Sequence, residues 1–392
     1  MAKETDNIHQ EVLAGLVDRV TFHSEESGFC VLRVKARGHR DLITTVGHAA
    51  MISAGEWVTA SGEWAASHNA YELMRWSYGV SQKQIMEFER DLEMNLAVSV
   101  QNAGRFRVNV YYQRGEVSMV VRLIKSSIPN FEALGLPRLL EKLSMQDRGL
   151  ILVVGAAGSG KSTTLAAMLD FRNRHKGGHI VCIEDPIEFL HSHQQSIIDQ
   201  REVGLDTHSF ADALRNVLRE APDVIMLGEI RDAATMQHAL HYSETGHLCL
   251  ATLHATSSSH AIERIVRFFP DEARKQVLAD LAQNLLAVIG QRLVPGLQQK
   301  RVAAIELMLG TPYIRDLIQR DQLSDLREAT GRALEQGLQT FDQHLYRLLE
   351  GGRISLTEAL KFADSRTDLS LKVKLERGFS ADDNEHKVMR DF

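Results

Sequence analysis

The segment Gly155-Ala-Ala-Gly-Ser-Gly-Lys161-Ser162 constrains this chain more than any other feature. It matches the full phosphate-binding loop pattern, a glycine, four residues, then Gly-Lys-Ser. It also has the setting such a loop needs, with the apolar strand Leu150 to Val154 before it and a helical run from Ser162 to Leu169 after it. Small residues let backbone N–H groups close around phosphate oxygens, and the helix N-terminus adds a favourable dipole. The expected nucleotide-binding residues are therefore Gly155, Gly158, Ser159, Gly160, Lys161, Ser162 and Thr163. Lys161 would neutralise the β- and γ-phosphates, and the Ser162 hydroxyl would ligate Mg²⁺. A plain glycine-rich turn is the bland alternative, and so complete a match argues against it.

Downstream, Val224-Ile-Met-Leu-Gly-Glu229 reads as an apolar strand ending in a carboxylate, which suits Glu229 as a general base for water. Alone the signal is weak; after a phosphate loop it is strong. Ile183-Glu-Asp-Pro-Ile-Glu-Phe189 places three carboxylates on a short turn at the end of another apolar strand. Such a cluster costs repulsion unless a cation or arginine compensates it, although a solvated acidic turn is the simpler reading. Glu184 is the candidate there for catalysis and for Mg²⁺. Thr245-Gly-His247 and Thr252-Leu-His254 flank an apolar strand, so one of the two histidines could sense the γ-phosphate, with His254 the candidate. An isolated histidine more often has a core or surface role.

Texture divides the chain of 392 residues into four stretches. Residues 1–70 alternate like short strands, as in Cys30, Leu32 and Val34 against Arg33 and Lys35, and predict a small β-barrel-like module. Residues 71–130 predict a helix capped by Ser81, with Ile85, Phe88 and Leu92 on one face, then two strands around Arg105–Tyr112 and Ser118–Ile124. A turn-rich linker follows between Pro129 and Pro137. Residues 131–310 alternate strand and helix patterns, which argues for an α/β domain with a largely parallel sheet. Residues 311–392 read as helical with a charged, frayed tail. With 45 basic and 51 acidic side chains the net charge is -6, which disfavours broad electrostatic binding to nucleic acid. Three widely spaced cysteines and no CxxC pair disfavour a disulfide framework and a four-cysteine zinc site. The N-terminus lacks the apolar core of a secretory signal and no apolar run is long enough to span a bilayer, so a cytoplasmic protein is expected, with any membrane role peripheral.

In order and wording, the four motifs Gly155–Ser162, Ile183–Phe189, Val224–Glu229 and Gly246–His254 resemble the secretion-type ATPases, specifically the pilus retraction ATPases of the PilT/PilU group. The resemblance runs from about Tyr71 to Glu376 and is strengthened by Gln200-Arg-Glu-Val-Gly204 and Gly337-Leu-Gln-Thr-Phe-Asp342. The tail Ala363-Asp364-Ser365 with Asp368-Leu369, and the partial match of Tyr313–Arg320 to the group's retraction motif, lean toward the PilU branch. This resemblance implies a RecA-like P-loop NTPase core behind a partial PAS-like domain, using ATP and Mg²⁺. It implies a homo-hexamer at the pilus base on the inner membrane, in contact with the platform protein there and with a sister retraction ATPase. It also implies that an arginine of a neighbouring subunit completes the site. Arg105, Arg107 and Arg122 stand at the matching places, with Arg107 and Arg122 the chosen fingers and an ordinary cationic strand face the alternative.

The first seventy residues depart from that pattern. Gly15-Leu-Val-Asp-Arg-Val-Thr-Phe-His23 with Gly28-Phe-Cys-Val-Leu32 resembles the N-terminal OB-like domain of RecD-type DNA helicases, yet no helicase motif set follows. The leading expectation is an ATP-hydrolysing hexameric motor that powers pilus retraction and twitching motility. The alternatives are a DNA-associated ATPase that binds single strands through the barrel, and a regulatory subunit without turnover.

Overall fold

A computed structural model of the chain describes residues 11–23, 29–36, 43–48, 52–62, 82–100, 104–298 and 301–377. The chain divides into two units, Met1–Lys125 and Ser126–Phe392.

The first unit holds two antiparallel sheets. Strands β1 (Glu11–His23), β2 (Phe29–Ala36), β3 (Ile43–His48) and β4 (Trp57–Gly62) run in the order β3-β2-β1-β4. The alternation in β2 does what it predicts: Cys30, Leu32 and Val34 are buried with Val17 and Ala36, while Arg33 and Lys35 face out. β1 pairs with β4 through its first half and with β2 through its second. Gly15 sits at the changeover, where a Cβ would lie 2.6 Å from Ala36 Cα and from the Lys35 carbonyl. The register slips near Val17 and Val20 are the bulges that bend a strand shared in this way.

The second sheet takes helix α1 (Gln82–Asp91) and strands β5 (Glu93–Val100), β6 (Gly104–Gln113) and β7 (Glu116–Ile124) in the order β5-β6-β7. Ile85 and Phe88 are buried, and Phe88 packs on Leu96, Phe106, Val108 and Val110. The expected third member of that helix face, Leu92, is not one. It lies beyond the helix end at φ 63 and is exposed, because the chain must reverse there to enter β5 at once. Ser81, its expected cap, lies outside the described residues.

The second unit begins with the short helices α2 (Phe131–Leu134) and α3 (Leu139–Ser144), so part of the expected linker is helical. The α/β core follows: β8 (Gly149–Val154), α4 (Lys161–His175), β9 (Gly178–Glu184), β10 (Ser196–Glu202), α5 (Phe210–Val217), β11 (Val224–Leu227), α6 (Ala233–Glu244), β12 (Leu248–Leu253), α7 (Ser258–Val266), α8 (Arg274–Asn284), β13 (Leu285–Pro295) and β14 (Arg301–Leu309). The sheet order is β10-β9-β11-β12-β8-β13-β14, parallel throughout except for β14, which runs antiparallel to β13.

Continuous apolar runs suit a parallel sheet covered on both faces. Leu150, Leu152 and Val154 bury into one layer with α5–α8, whereas Ile151 and Val153 bury into the other with α2–α4. Helices α9 (Pro312–Gln319) and α10 (Leu326–Arg332) join the first layer through Ile314, Leu317 and Leu326. Helices α11 (Phe341–Glu350), α12 (Leu356–Phe362) and α13 (Arg366–Arg377) form a third apolar cluster on Val294, Val302 and Ala304 of β13 and β14. Among the described residues no helix is long and apolar enough to cross a membrane.

Candidate nucleotide-binding site

The strand order gathers the motifs at one edge of the sheet. The carboxyl ends of the parallel strands β9, β11, β12 and β8 carry Glu184, Glu229, His254 and the phosphate loop in that spatial order. Because β12 is inserted between β8 and β11, His254 stands between the loop and Glu229. Ligands of open α/β sheets bind at this edge. A cavity of about 470 Å³ opens there, walled by Gly158, Gly160, Lys161, Ser162 and Thr163 on the loop side. Glu184, Asp185, Glu188, Glu229 and His254 face into the same cavity, with Phe189, Met226 and Leu293 as apolar wall.

The loop is braced by a strand far away in sequence. A Cβ on Gly155 would lie 2.4 Å from Ser159 Oγ and 2.5 Å from the Gln291 carbonyl. A Cβ on Gly160, at φ 88, would lie 2.7 Å from Gln291 Nε2. Glycine is thus required twice, once for close approach and once for the left-handed backbone as well. Gln291 also accepts a hydrogen bond from Thr164 Oγ1 at 2.7 Å, which ties the first turn of α4 to β13. Lys161 donates to the carbonyls of Gly155 at 3.1 Å and Ala156 at 2.9 Å. Burial lowers its pKa, opposed by the nearby Glu229 and Glu188 carboxylates, so its charge belongs to this cavity. Ser159 Oγ is buried with no hydrogen-bond partner. An orphaned hydroxyl in a loop of small residues fits a phosphate oxygen.

Opposite the loop, Glu229 is held at both oxygens: His254 Nε2 lies 3.2 Å from Oε1, and Arg231 Nε donates to Oε2 at 2.9 Å. Arg231 also reaches Asp185 Oδ2 at 3.3 Å, and so supplies the cation that the acidic turn requires. The backbone before the acid is fixed on both sides. Gly228 N–H donates to the Ile183 carbonyl at 2.8 Å, and the Thr252 hydroxyl donates to the Gly228 carbonyl. The His254 pKa is lowered, first by burial and then by the Lys161 charge, with Glu229 opposing.

Glu184 behaves differently from its neighbours. It is buried, and burial raises its pKa to about 7 against the hydrogen bond from Gln200. Gln200 spends its whole amide on this turn. Its Nε2 donates to Glu184 Oε1 at 3.0 Å and to the Phe189 carbonyl at 2.8 Å, while its Oε1 accepts from His191 N–H at 2.9 Å. The cavity wall offers oxygen donors, the Ser162 hydroxyl and the carboxylates, of the kind a hard cation such as Mg²⁺ takes. Among the described residues no group of three or more His, Cys, Asp or Glu is arranged to hold a metal ion.

The structure therefore brings Lys161, Ser162, Thr163, Glu184, Glu229 and His254 together. Arg107 and Arg122 lie in the first unit, directly opposite each other on β6 and β7, with Arg105 two residues along the same face. Arg105 Nε is buried without a hydrogen-bond partner. Like charges in cross-strand register repel, so this face is unfavourable without an anion. Sequence reasoning missed Arg231, two residues after Glu229, and it counted Glu188 only as part of a cluster. Gln200 stands within the Gln200–Gly204 motif, which gives no sign of its three hydrogen bonds, and nothing local points to Gln291.

Comparison with known proteins gives the family and the fold. Residues 83–386 match the family described as "Type II/IV secretion system protein", and residues 10–71 match "ATP-dependent DNA helicase YrrC, OB-fold domain". The chain is 51% identical to the type IV pilus ATPase PilU of Pseudomonas aeruginosa over 304 residues, spanning 77% of this chain and 80% of that one. It is 44% identical to the type IV pilus retraction ATPase PilT of the same organism over 280 residues, 71% of this chain and 81% of that one. The crystal structure of the pilus retraction motor PilT with bound ADP superposes with a TM-score of 0.73 at 36% identity, covering 93% of this chain and 96% of that one. The α/β core, the β-rich N-terminal module and the helical C-terminal region are thus those expected, and this chain belongs to the Type II/IV secretion system protein family.

Proposed function

We infer that this chain is an ATP-hydrolysing motor of the secretion ATPase superfamily that powers type IV pilus retraction and twitching motility. The observation that carries the reading is the placement of Glu229 and His254 across one cavity from an intact phosphate loop. The relatives named above support the biological assignment.

In this reading the loop N–H groups, the Ser159 hydroxyl and the Lys161 ammonium bind the triphosphate. Ser162, with a carboxylate of the facing wall, would hold Mg²⁺, which when bound neutralises charge on the β- and γ-phosphate oxygens. Glu229 accepts the proton of the attacking water, and His254, whose pKa burial and the Lys161 charge lower, fixes its carboxylate and can meet the γ-phosphate edge. Glu188, on the same cavity wall, is a second candidate acid for the ion beside Glu184. It lies near enough to Lys161 to support the ammonium charge, whereas Glu184 is buried against Gln200 and partly protonated near neutral pH. Arg107 and Arg122 act from a neighbouring subunit on the transferring phosphoryl group, which relieves their mutual repulsion.

The assembly is a homo-hexamer working at the cytoplasmic face of the inner membrane, against the pilus platform protein and alongside a sister retraction ATPase. Phosphate release by the full chain tests the enzyme. Lys161→Ala should abolish it, and a variant hydrolysing near the parent rate would remove the assignment. The OB-fold match over residues 10–71 favours one second reading, an ATPase that engages single-stranded DNA. Tight, salt-sensitive DNA binding that stimulates hydrolysis would decide for it; the net charge of -6 argues against such binding.

A further inference from the structure

The turn that carries His254 is held from behind by two strands that no nucleotide motif includes. Thr256 and Ser258 follow His254 by two and four residues. The Thr256 carbonyl accepts from Arg292 Nη2 at 3.2 Å, and the Ser258 N–H donates to the buried carboxyl of Glu306. Arg292 lies on β13 and Glu306 on β14, opposite Gly290. A Cβ on Gly290 would lie 2.9 Å from Glu306 Oε2 and 3.0 Å from Phe341 Cζ, so glycine there admits both groups to the back of the turn.

Arg292 reaches further than the turn. Its Nη1 donates to the Phe362 carbonyl at 2.7 Å and its Nη2 to Asp364 Oδ1 at 2.6 Å, while its guanidinium lies 3.8 Å from the centre of the Phe341 ring. Asp364 is fixed in turn, since its N–H donates to Asp342 Oδ1 at 2.7 Å and the Ser365 N–H donates to Asp342 Oδ2 at 3.1 Å. Arg327 closes the set on Asp342 at 3.2 Å. One planar guanidinium thus joins the His254 turn to the start of α11 and to the junction of α12 and α13. A fork of fixed donors does this better than a flexible ammonium. The Arg292 and Asp364 side chains are only 23% and 18% exposed, so the pair is not an ordinary solvated ion pair.

We propose that Arg292 is a positioning residue for hydrolysis: by gripping the Thr256 carbonyl while anchored to Phe341, Phe362 and Asp364, it sets His254 against Glu229 and couples the C-terminal helices to the nucleotide site. The proposal rests on the reading of Glu229 and His254 as the hydrolytic pair. It makes α11–α13 a lever, because any displacement of these helices moves the turn that bears His254. A shift of about 1 Å at a positioned group can cost on the order of 100-fold in rate.

The test is a mutant cycle on the full chain, with Arg292→Met and His254→Ala alone and together, reading kcat for phosphate release and nucleotide affinity separately. Arg292→Met should lower kcat about 10- to 100-fold while affinity stays within about two-fold, and Arg292→Lys should restore only part of the rate. In the His254→Ala background Arg292→Met should add little, because the two act through one turn. Parent-level kcat in Arg292→Met, or losses that multiply in the double variant, would overturn the proposal. Should Arg292→Met fail to fold, Asp364→Asn, which weakens the anchor and keeps the guanidinium, enters the same cycle with the same readings. Parent-level hydrolysis in Glu229→Gln would instead bring down the underlying pair, a result distinct from either.

Discussion

Replacing Gln200 by leucine removes one side chain of similar volume and three hydrogen bonds. The partners left behind are the Glu184 carboxyl, the Phe189 carbonyl and the His191 N–H, at 3.0, 2.8 and 2.9 Å. A typical hydrogen bond contributes about 1 kcal/mol net, and a buried partner left unpaired costs about 1–3 kcal/mol. Glu184 is buried while the His191 region is partly open to water, so a total loss of about 3 kcal/mol is the reasonable sum. In a domain of this size each kcal/mol moves the midpoint by about 2–4 °C, so Tm should fall by about 6–12 °C. Calorimetric unfolding of parent and variant at one pH, with and without nucleotide, reads it directly. Function should suffer too, because the Gln200 amide opposes the upward shift that burial imposes on Glu184. Without it the carboxyl titrates higher and the acidic turn loses its brace. A Tm within about 2 °C of the parent would refute the reasoning that this amide organises the turn.

Two further outcomes follow from the same geometry. Gly160→Ala puts a Cβ 2.7 Å from Gln291 Nε2 in a left-handed backbone, so ATP affinity should fall at least about ten-fold by titration with a fluorescent nucleotide, with most of the fold retained; unchanged affinity would count against the braced loop. Burial raises the Glu306 pKa to about 7, so the folded state binds its proton more tightly than the unfolded state does. Its contribution is complete below the ordinary value of 4.5 and is lost as pH rises through about 7. Glu306→Gln should therefore lose, on the order of 3 kcal/mol, part of the parent's fall in stability between about pH 5 and about pH 8, as measured by urea unfolding; equal slopes would contradict the burial argument.

The local pattern made the elements legible and left their neighbours hidden. The alternation of Cys30, Leu32 and Val34 and the apolar run into Val154 announce strands because burial repeats at a fixed period. Leu92 continues the helical spacing on paper, yet the turn into β5 takes it out of the helix, since spacing carries no information on where the chain must reverse. The loop and Glu229 are legible because phosphate and water chemistry demand those residue types at those places. His254 stands out as a candidate, but its contact with Glu229 does not, because that contact depends on β12 lying between β8 and β11, and crossover connections decide strand order. Gln291 is the extreme case: its partner Thr164 is 127 residues away, and only the β8–β13 pairing brings them together.

The central claim is that Glu229 activates water in a site whose nucleotide is bound by other residues. Glu229→Gln keeps the side chain's shape and a hydrogen-bonding oxygen while removing the base. The decisive measurement pairs single-turnover ATP hydrolysis with ATP affinity in this variant. Affinity should stay close to the parent's while hydrolysis slows by about 10²-fold or more, leaving ATP intact on the protein. Hydrolysis at the parent rate with ATP still bound would contradict it and move the catalytic acid to the Glu184, Asp185 and Glu188 turn.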